Sequence, residues 1–546
     1  MEYKRFKDPI YGYIEIEEDI IKAIVDTAAF QRLRDVIQTS YAPLYSSAVH
    51  NRFVHSLGVY HLGDIAAKAL IKSVGKNIKK QFPDYIKYIE IFKLACLLHD
   101  VGHAPFSHTG EKFYLDKGER SKLHQEIVEL TEDSDLKREI EDNSYKAAPH
   151  ELMSVIVSIK KYSKNINKKQ RSFFARCILG YKYTVNMDED KSFRNCLIEL
   201  LNSKIIDVDK LDYLLRDSYM TGFDTVSIDF LRLLESIRAV KDKNGFYRIC
   251  YNKSAVSVIE NVVYAHDAER KWIQNHPIVL YEIYLLENIM DNIIVNILNN
   301  EKIEYELLTE KGVNFKKLGQ VRLLGDSDIN YLMKNLKKNT LTDEYFNRNL
   351  RKHPLWKTEA EFQAIFLGNE QELDYIEQEF NSLRTYLRSQ GLPFIINNDA
   401  LEACKNEVSQ LEETMKVAKG IELAKTSVSL AERKEHIGWM QIFEKFAIRE
   451  NIKFSFLVIY TNQFNSGFRK QEFENIELIF PELLEPCRFG DVTNVLTANK
   501  SKREKFFFLY YLRNKSSEIK INELIKDMLT LAGVNRTRKT VGQRLR

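Results

Sequence analysis

Apolar positions recur every three to four residues through IIKAIVDTAAFQRLRDVI, LGVYHLGDIAAKALI and YIEIFKLACLLHD. That is the period of helices that bury one face. The pattern predicts one helical block over residues 1 to about 300, with helix again at His150 and from Ser203 through Tyr219. Between Lys112 and Ala148 it is broken by GERSKLHQEIVELTEDSDLKREIEDNSYK, a charged insert (about 112–148) expected to form a partly mobile lid or loop. Beyond about residue 300, EKIEYELL, EFQAIFLGNEQELDYIEQEFNSLRTYL and ALEACKNEVSQLEETMKVA keep helical spacing. Between and after them come four strand-like runs: PFII, KFSFLVIY, IELIF and FFFLYYL. The expected fold class is therefore mainly α: an all-helical core over 1–300, a helical extension over 301–420, and a small α+β region over 421–546.

Composition agrees with helices, because Gly (21) and Pro (10) are both scarce and both are poor inside them. The six cysteines are scattered without a Cys-x-x-Cys pair, which argues against a disulfide framework or a thiolate zinc site. The start, MEYKRFKDPIYGYIEI, has no signal-like apolar core, and no run approaches the roughly 18 apolar residues of a membrane span. A soluble cytoplasmic protein with no membrane partner is expected. The net charge of +4 is nearly balanced, but its distribution is not. From Lys500 to Arg546 there are thirteen Lys or Arg against four Asp or Glu, ending in NRTRKTVGQRLR. Such an end is a solvated tail, or a surface for nucleic acid or for an anionic nucleotide between subunits.

Histidine changes the picture most. Eight of the twelve fall between His50 and His150, six of them in HNRFVHSLGVYHL and LLHDVGHAPFSH. LACLLHD is an apolar helix ending in an imidazole and a carboxylate. A carboxylate taken out of water needs a cation or a dense hydrogen-bond network. Mixed His/Asp ligation suits manganese, iron, zinc, nickel or cobalt better than calcium. His99 and Asp100 are adjacent, so they reach one ion only where the helix is ending, as Val101-Gly102 permits. A further carboxylate is available in SKIIDVDKLDYLLRD, where Asp209, Tyr213 and Asp217 share one helical face and Lys210 is nearby. The plainer alternative is a surface helix with salt bridges, for which Asp212 and Arg216 would serve.

These words resemble the HD-domain superfamily, and within it the deoxynucleoside triphosphate triphosphohydrolases. The resemblance covers residues 5 to about 235 through DPIYGYIEI, FQRLRDVIQ, HNRFVHSLGV, LLHDVGHAPFSH, PHELMSV and IDVDKLDYLLRDSYMTG, in that order. It implies His55, His99, Asp100 and Asp209 as ligands of one divalent ion (manganese, iron, magnesium, nickel, cobalt or zinc). It implies Arg52, Lys210 and Tyr213 at phosphate, Asp217 at the sugar 3'-hydroxyl, and Gln38 near the sugar. His108 becomes the expected acid, oriented by Glu111, with His103 and His150 as further active-site histidines. His150 is matched by its word, although His124 in KLHQEI has the shorter spacing. A later helix, YAHDAERKWIQNHP, places His266, Gln274 and Asn275 where the family has an arginine and a Tyr-Gln pair, with Arg270 and Lys271 as substitutes for the arginine.

The implied reaction is hydrolysis of a dNTP to deoxynucleoside and inorganic triphosphate, with dNTP or NTP as an activator, a homo-oligomer as the assembly, and dNTP-pool control or phage defence as the role. Two alternatives stand beside it: another HD-type nucleotidase or phosphodiesterase, and a nucleic-acid-binding effector working through the basic C-terminus.

Overall fold

The computed structural model describes the backbone of residues 2–40, 42–76, 78–114, 119–142, 147–223, 227–296, 304–316, 318–335, 340–392, 394–461, 470–496, 506–513 and 520–543. It describes the side chains of all of these except 112–114, 119, 295–296, 349, 470–471 and 534–543. Contacts divide the chain into two compact units, each assembled from separated segments. The first comprises Met1–Gln274, Ile289–Lys337 and Phe464–Lys502; the second comprises Asn275–Asn288, Lys338–Gln463 and Arg503–Arg546. This division runs differently from the boundaries expected at about 300 and 420, because long-range strand pairing, invisible to local periodicity, draws late segments back to early ones.

The first unit begins with an antiparallel hairpin, β1 (Tyr3–Asp8) and β2 (Gly12–Glu17), in register from Tyr3↔Glu17 to Asp8↔Gly12. Its turn is held by Asp8 Oδ1, which accepts from the amides of Ile10 (2.9 Å) and Tyr11 (3.1 Å). Alternation buries Ile14 and Ile16. The word DPIYGYIEI is thus a hairpin rather than the start of a helical block.

Helices α1 (Arg52–Val74) and α2 (Tyr85–Leu98) form the centre. Asn51 caps α1 by accepting from the Val54 amide at 3.3 Å. A Cβ at Gly63 would come 2.6 Å from Cys96 Sγ, so this glycine sets how closely α1 approaches α2. Next come α3 (Glu119–Thr131), α4 (Ser134–Glu141), α5 (Pro149–Lys161), α6 (Arg171–Leu179), α7 (Glu189–Leu201) and α8 (Val208–Thr221). The insert expected as a lid is therefore largely helical. Ile127, Leu136 and Ile140 are buried, and α3 packs on α5 and α6. Its ends at 115–118 and 143–146 lie outside the described residues.

Strands β3 (Ile237–Lys241) and β4 (Tyr247–Asn252) follow, then α9 (Val256–Ala268) and α10 (Asp326–Asn335). Two later strands, β5 (Glu477–Ile479) and β6 (Cys487–Arg488), complete a four-stranded sheet in the order β6-β5-β4-β3, with β5 parallel to β4. The second unit has its own sheet from His353–Pro354, Phe507–Tyr511, Ser455–Tyr460 and Ile395–Asn397, in that order. It is covered by helices that include Glu370–Ser389 and Ile421–Arg449, around buried Trp356, Phe362, Phe380, Trp439 and Phe507. All four expected strand runs are strands. Three pair in the second unit, whereas IELIF joins the first. The helix Asn522–Gln543 reaches into the basic end, but Lys500, residues 501–505, 514–519 and 544–546, and the side chains from 534 onward lie outside the described residues.

Candidate active site

Three elements bring the four expected ligands together. His55 lies in the first turn of α1, His99 caps the end of α2, Asp100 follows it, and Asp209 lies in the first turn of α8. His55 Nε2 is 3.3 Å from His99 Nε2, 3.4 Å from Asp100 Oδ2 and 3.0 Å from Asp209 Oδ1. His99 Nε2 is 3.3 Å from Asp100 Oδ1 and 3.5 Å from Asp209 Oδ1. Ligand atoms about 2.1 Å from a central ion sit ~3.0 Å apart at an octahedral edge and ~3.4 Å apart at a tetrahedral one. The spacings fit a first-row divalent ion. Each imidazole also has its other nitrogen fixed: His55 Nδ1 is 2.7 Å from Asp212 Oδ2, and His99 Nδ1 is 2.9 Å from the Cys96 carbonyl. Both Nε2 lone pairs are thereby turned inward, toward each other, as ligation requires.

The adjacency of His99 and Asp100 is solved as the sequence demands, by ending α2 at Leu98 and turning through Val101-Gly102. A Cβ on Gly102 would stand 2.2 Å from the Ser154 amide nitrogen, so no other residue fits between this turn and α5. Three of the cage residues are buried, whereas 37% of the Asp209 side chain is exposed, which leaves that side open.

A second row extends from the cage. His103 Nε2 is 3.2 Å from Asp100 Oδ1, and its ring stacks on His150 at 4.0 Å and 11°. Glu111 Oε1 lies 2.6 Å from His108 Nδ1 and 2.5 Å from His150 Nδ1. His108 is the outermost member, with 64% of its side chain exposed. His150 rather than His124 meets Glu111. Asp100, His103 and His150 also converge closely enough to hold a cation, as do His108, Glu111 and His150.

Arg52 is turned inward. Its guanidinium donates to Asp100 Oδ2 (2.7 Å), Ser107 Oγ (2.9 Å) and the Gln38 carbonyl (3.2 Å). Gln38 itself is buried, and among the described residues none donates a hydrogen bond to its Oε1. Lys210 is tied back to Asp207 Oδ2 (2.6 Å) and the Ser203 carbonyl (2.8 Å). Asp217 is buried and 2.7 Å from His50 Nε2. Tyr213 is half-buried on the same face of α8. His266 is buried on α9, with Arg270, Lys271 and Gln274 in the π-helical turn Glu269–Gln274 that follows; Asn275 begins the second unit. A cavity of about 440 Å³ lined by Ile10, Leu214, Leu215, Tyr219, Phe230 and Ile273 touches the other face of α8 and contains none of the cage residues.

Electrostatics sort the histidines. Burial works against the charged form of His55, but the Asp209 and Asp212 carboxylates outweigh it and raise its pKa to about 9. His150 is likewise raised to about 9, where Glu111 overcomes burial. His103 is held well below its usual range by burial, helped by Arg52 and His150. Asp100 stays well below the usual carboxylate range despite burial, because Arg52, His99 and His103 surround it. Glu111 is lowered in the same way by His108 and His150. The cage favours positive charge and the second row holds a proton at neutral pH.

Sequence reasoning missed the support beneath the cage. Asp212 was weighed only as half of a surface ion pair with Arg216. The pair exists, but both side chains are fully buried: Arg216 Nε and Nη2 each donate at 2.9 Å to Asp212, and Nη1 reaches Asp8 at 3.0 Å. Tyr11 donates to Asp212 Oδ1 at 2.7 Å. The signal lay in the early word DPIYG, whose Asp8 and Tyr11 reach Arg216 and Asp212 as well as forming the hairpin turn.

Residues 52–178 match the HD domain family, and no strand occurs among the described residues of that stretch. The chain therefore carries an HD domain, as its sequence words indicated. Its relatives include the deoxynucleoside triphosphate triphosphohydrolase SAMHD1 of Mus musculus, 29% identical over 299 residues (50% of this chain, 42% of that protein). The SAMHD1 homolog of Dictyostelium discoideum is 28% identical over 282 residues (50% and 46%). An uncharacterized protein of Mycoplasma genitalium is 31% identical over 269 residues (48% and 53%). The chain thus spans about half the length of the curated relatives it matches. Among solved structures, a phosphohydrolase from Bacteroides thetaiotaomicron shares the fold at TM-score 0.51 and 19% identity, covering 93% of this chain and 100% of that one. A hypothetical protein from Aquifex aeolicus does so at 0.51 and 17%, covering 97% and 100%.

Proposed function

We propose that this protein is a metal-dependent phosphohydrolase that removes triphosphate from deoxynucleoside triphosphates. The observation that carries the hydrolase reading is the pair of Nε2 atoms of His55 and His99, 3.3 Å apart and each oriented by its own Nδ1 partner, beside the Asp100 and Asp209 carboxylates. The triphosphate reading rests on the likeness to the SAMHD1 proteins, on Tyr213 and Asp217, which share one face of α8 with Asp209, and on Lys210 nearby.

His55, His99, Asp100 and Asp209 would hold a divalent ion, which would supply Lewis acidity. The chain's own residues do the rest. Glu111 fixes His108 through Nδ1, so the opposite ring nitrogen is the one that delivers a proton to the departing 5'-oxygen. His150, protonated at neutral pH, and the Arg52 guanidinium behind Asp100 place positive charge where the substrate is negative. Lys210 joins them once phosphate competes with Asp207 for its ammonium. Asp217, positioned by His50, accepts from the sugar 3'-hydroxyl, and Gln38 offers its unpartnered Oε1 near the sugar.

The test is incubation with each dNTP and NTP, singly and in mixtures, with manganese or magnesium, reading products by phosphorus NMR. Inorganic triphosphate from a dNTP is the expected product, and a mixture requirement would reveal an activating nucleotide. Orthophosphate alone, or cleavage of cyclic or monophosphate substrates only, would overturn the triphosphate assignment.

A further inference from the structure

The loop that carries His103 and His108 is not held by the HD stretch alone. Phe106 and Ser107 sit at positive φ (58° and 52°), a conformation that costs free energy unless neighbours impose it. The neighbour is Asp326, the first residue of α10 and far along the chain. Its Oδ1 accepts from the Phe106 amide at 2.6 Å, and its Oδ2 accepts from the Ile37 amide at 2.9 Å. One carboxylate therefore joins the residue beside Gln38 to the pair preceding His108. Ser107 closes the triangle: its hydroxyl donates to the Ile37 carbonyl and accepts from Arg52 Nε. Beneath them Arg32, also buried, donates to the carbonyls of Leu324 (2.9 Å), Val101 (2.8 Å) and His103 (3.0 Å).

The turn itself is pinned. A Cβ on Gly325 would stand 2.2 Å from Asp35 Oδ2, and the Ser327 hydroxyl and amide both donate to Asp35. All of these residues belong to the first unit.

We infer that the Leu324–Ser327 turn, acting through Asp326 and Arg32, is a positioning device that holds the His103–His108 loop and the Gln38 segment in register for turnover. Asp326 touches no ligand of the cage and no expected substrate group, so it acts through Phe106 and Ile37. Its two oxygens each serve a different segment, which an amide cannot reproduce: Asp326→Asn keeps the shape but presents an N–H to one of two N–H donors.

The inference rests on the hydrolytic reading of the site, and two kinds of measurement keep them apart. In Asp326→Asn, turnover should fall about 10- to 100-fold, the range expected when reacting groups shift by about 1 Å. Metal content and melting temperature at pH 8 should match wild type, and hydrogen exchange should quicken in the peptides spanning Ile37 and Phe106. Asp328→Asn, which removes a charge from the same turn at a side chain that accepts from the Gly325 amide, should behave as wild type. Turnover within twofold of wild type, an equal loss in Asp328→Asn, or loss that merely follows metal or melting temperature would overturn the inference. Should Asp326→Asn fail to fold, Arg32→Lys decides in the same way: reduced turnover with metal retained supports it, and any other pattern overturns it. Exchange at Ile37 and Phe106 is read without substrate. A wild type inert toward every nucleotide would count against the proposed function, while unchanged exchange in the variant would count against the clamp.

Discussion

His108 stands at the solvent side of the histidine row, hydrogen-bonded through Glu111, while each cage imidazole is fixed through its buried Nδ1. Its removal should therefore spare the cage. In His108→Ala, metal content and KM should stay near wild type while kcat falls about 10²- to 10⁴-fold, the usual contribution of a placed acid. Asp212 should show the opposite signature. Asp212→Asn removes the charged partner of His55 Nδ1 and takes from Arg216 one of its two buried carboxylates, so metal affinity should drop about 10- to 100-fold by equilibrium dialysis. The two residues were not equally legible. His55, His99, Asp100 and Asp209 stand out because histidines beside an apolar helix end have few other uses. Asp212 looks like any helical carboxylate with an arginine one turn on, because its meaning depends on being buried, and burial comes from the partner helix.

Helices α1 and α8 are forced together at Gly58. An added Cβ there would lie 1.9 Å from Asp212 Oδ1 and 2.6 Å from Arg216 Nη2. Gly58→Ala should cost about 2–4 kcal/mol in urea unfolding, through overpacking and a disturbed buried ion pair, and should weaken metal retention as well. The Asp326 turn gives a pH signature with a definite sign. Burial, with Asp35 nearby, raises the carboxyl from 3.8 to about 7 against the opposing pull of the Phe106 and Ile37 amides and Arg32. A carboxyl that holds its proton more tightly when folded favours folding below the unfolded value, and that contribution is lost as pH rises toward about 7. Measured against Asp326→Asn, wild type should gain about 2–3 kcal/mol between pH 8 and pH 5, at ~1.4 kcal/mol per unit. A constant difference would show that the carboxylate is better solvated than its surroundings indicate. Helices with a one-sided apolar stripe were readable, and the helical insert was misjudged for the same reason. Its buried positions, Ile127, Leu136 and Ile140, are few and widely spaced in a charged stretch.

At the scale of the whole chain, periodicity found the late strands but not their partners. IELIF was recognisable as a strand, yet nothing local says that Leu478 pairs with Tyr251, more than two hundred residues earlier. A fragment ending at residue 300 retains every cage ligand but lacks β5, the cover given by buried Phe473 and Phe489, and the Asp326 turn. It should bind a hydrophobic dye, be cleaved faster by protease and melt without a sharp transition. A cooperative melt near that of the full chain would refute the interleaved description.

The same interleaving has a consequence for biosynthesis. Strand β4 ends at Asn252, and its parallel neighbour begins at Glu477. At about 5–20 residues per second, a ribosome needs roughly ten to fifty seconds to make the stretch between them. Throughout that interval the histidine cage is already synthesised, but its sheet is unfinished and β4 offers an open edge. Such a chain depends on being shielded while it is made, and its yield in a foreign host should respond to growth temperature and chaperone supply more than its finished stability would suggest.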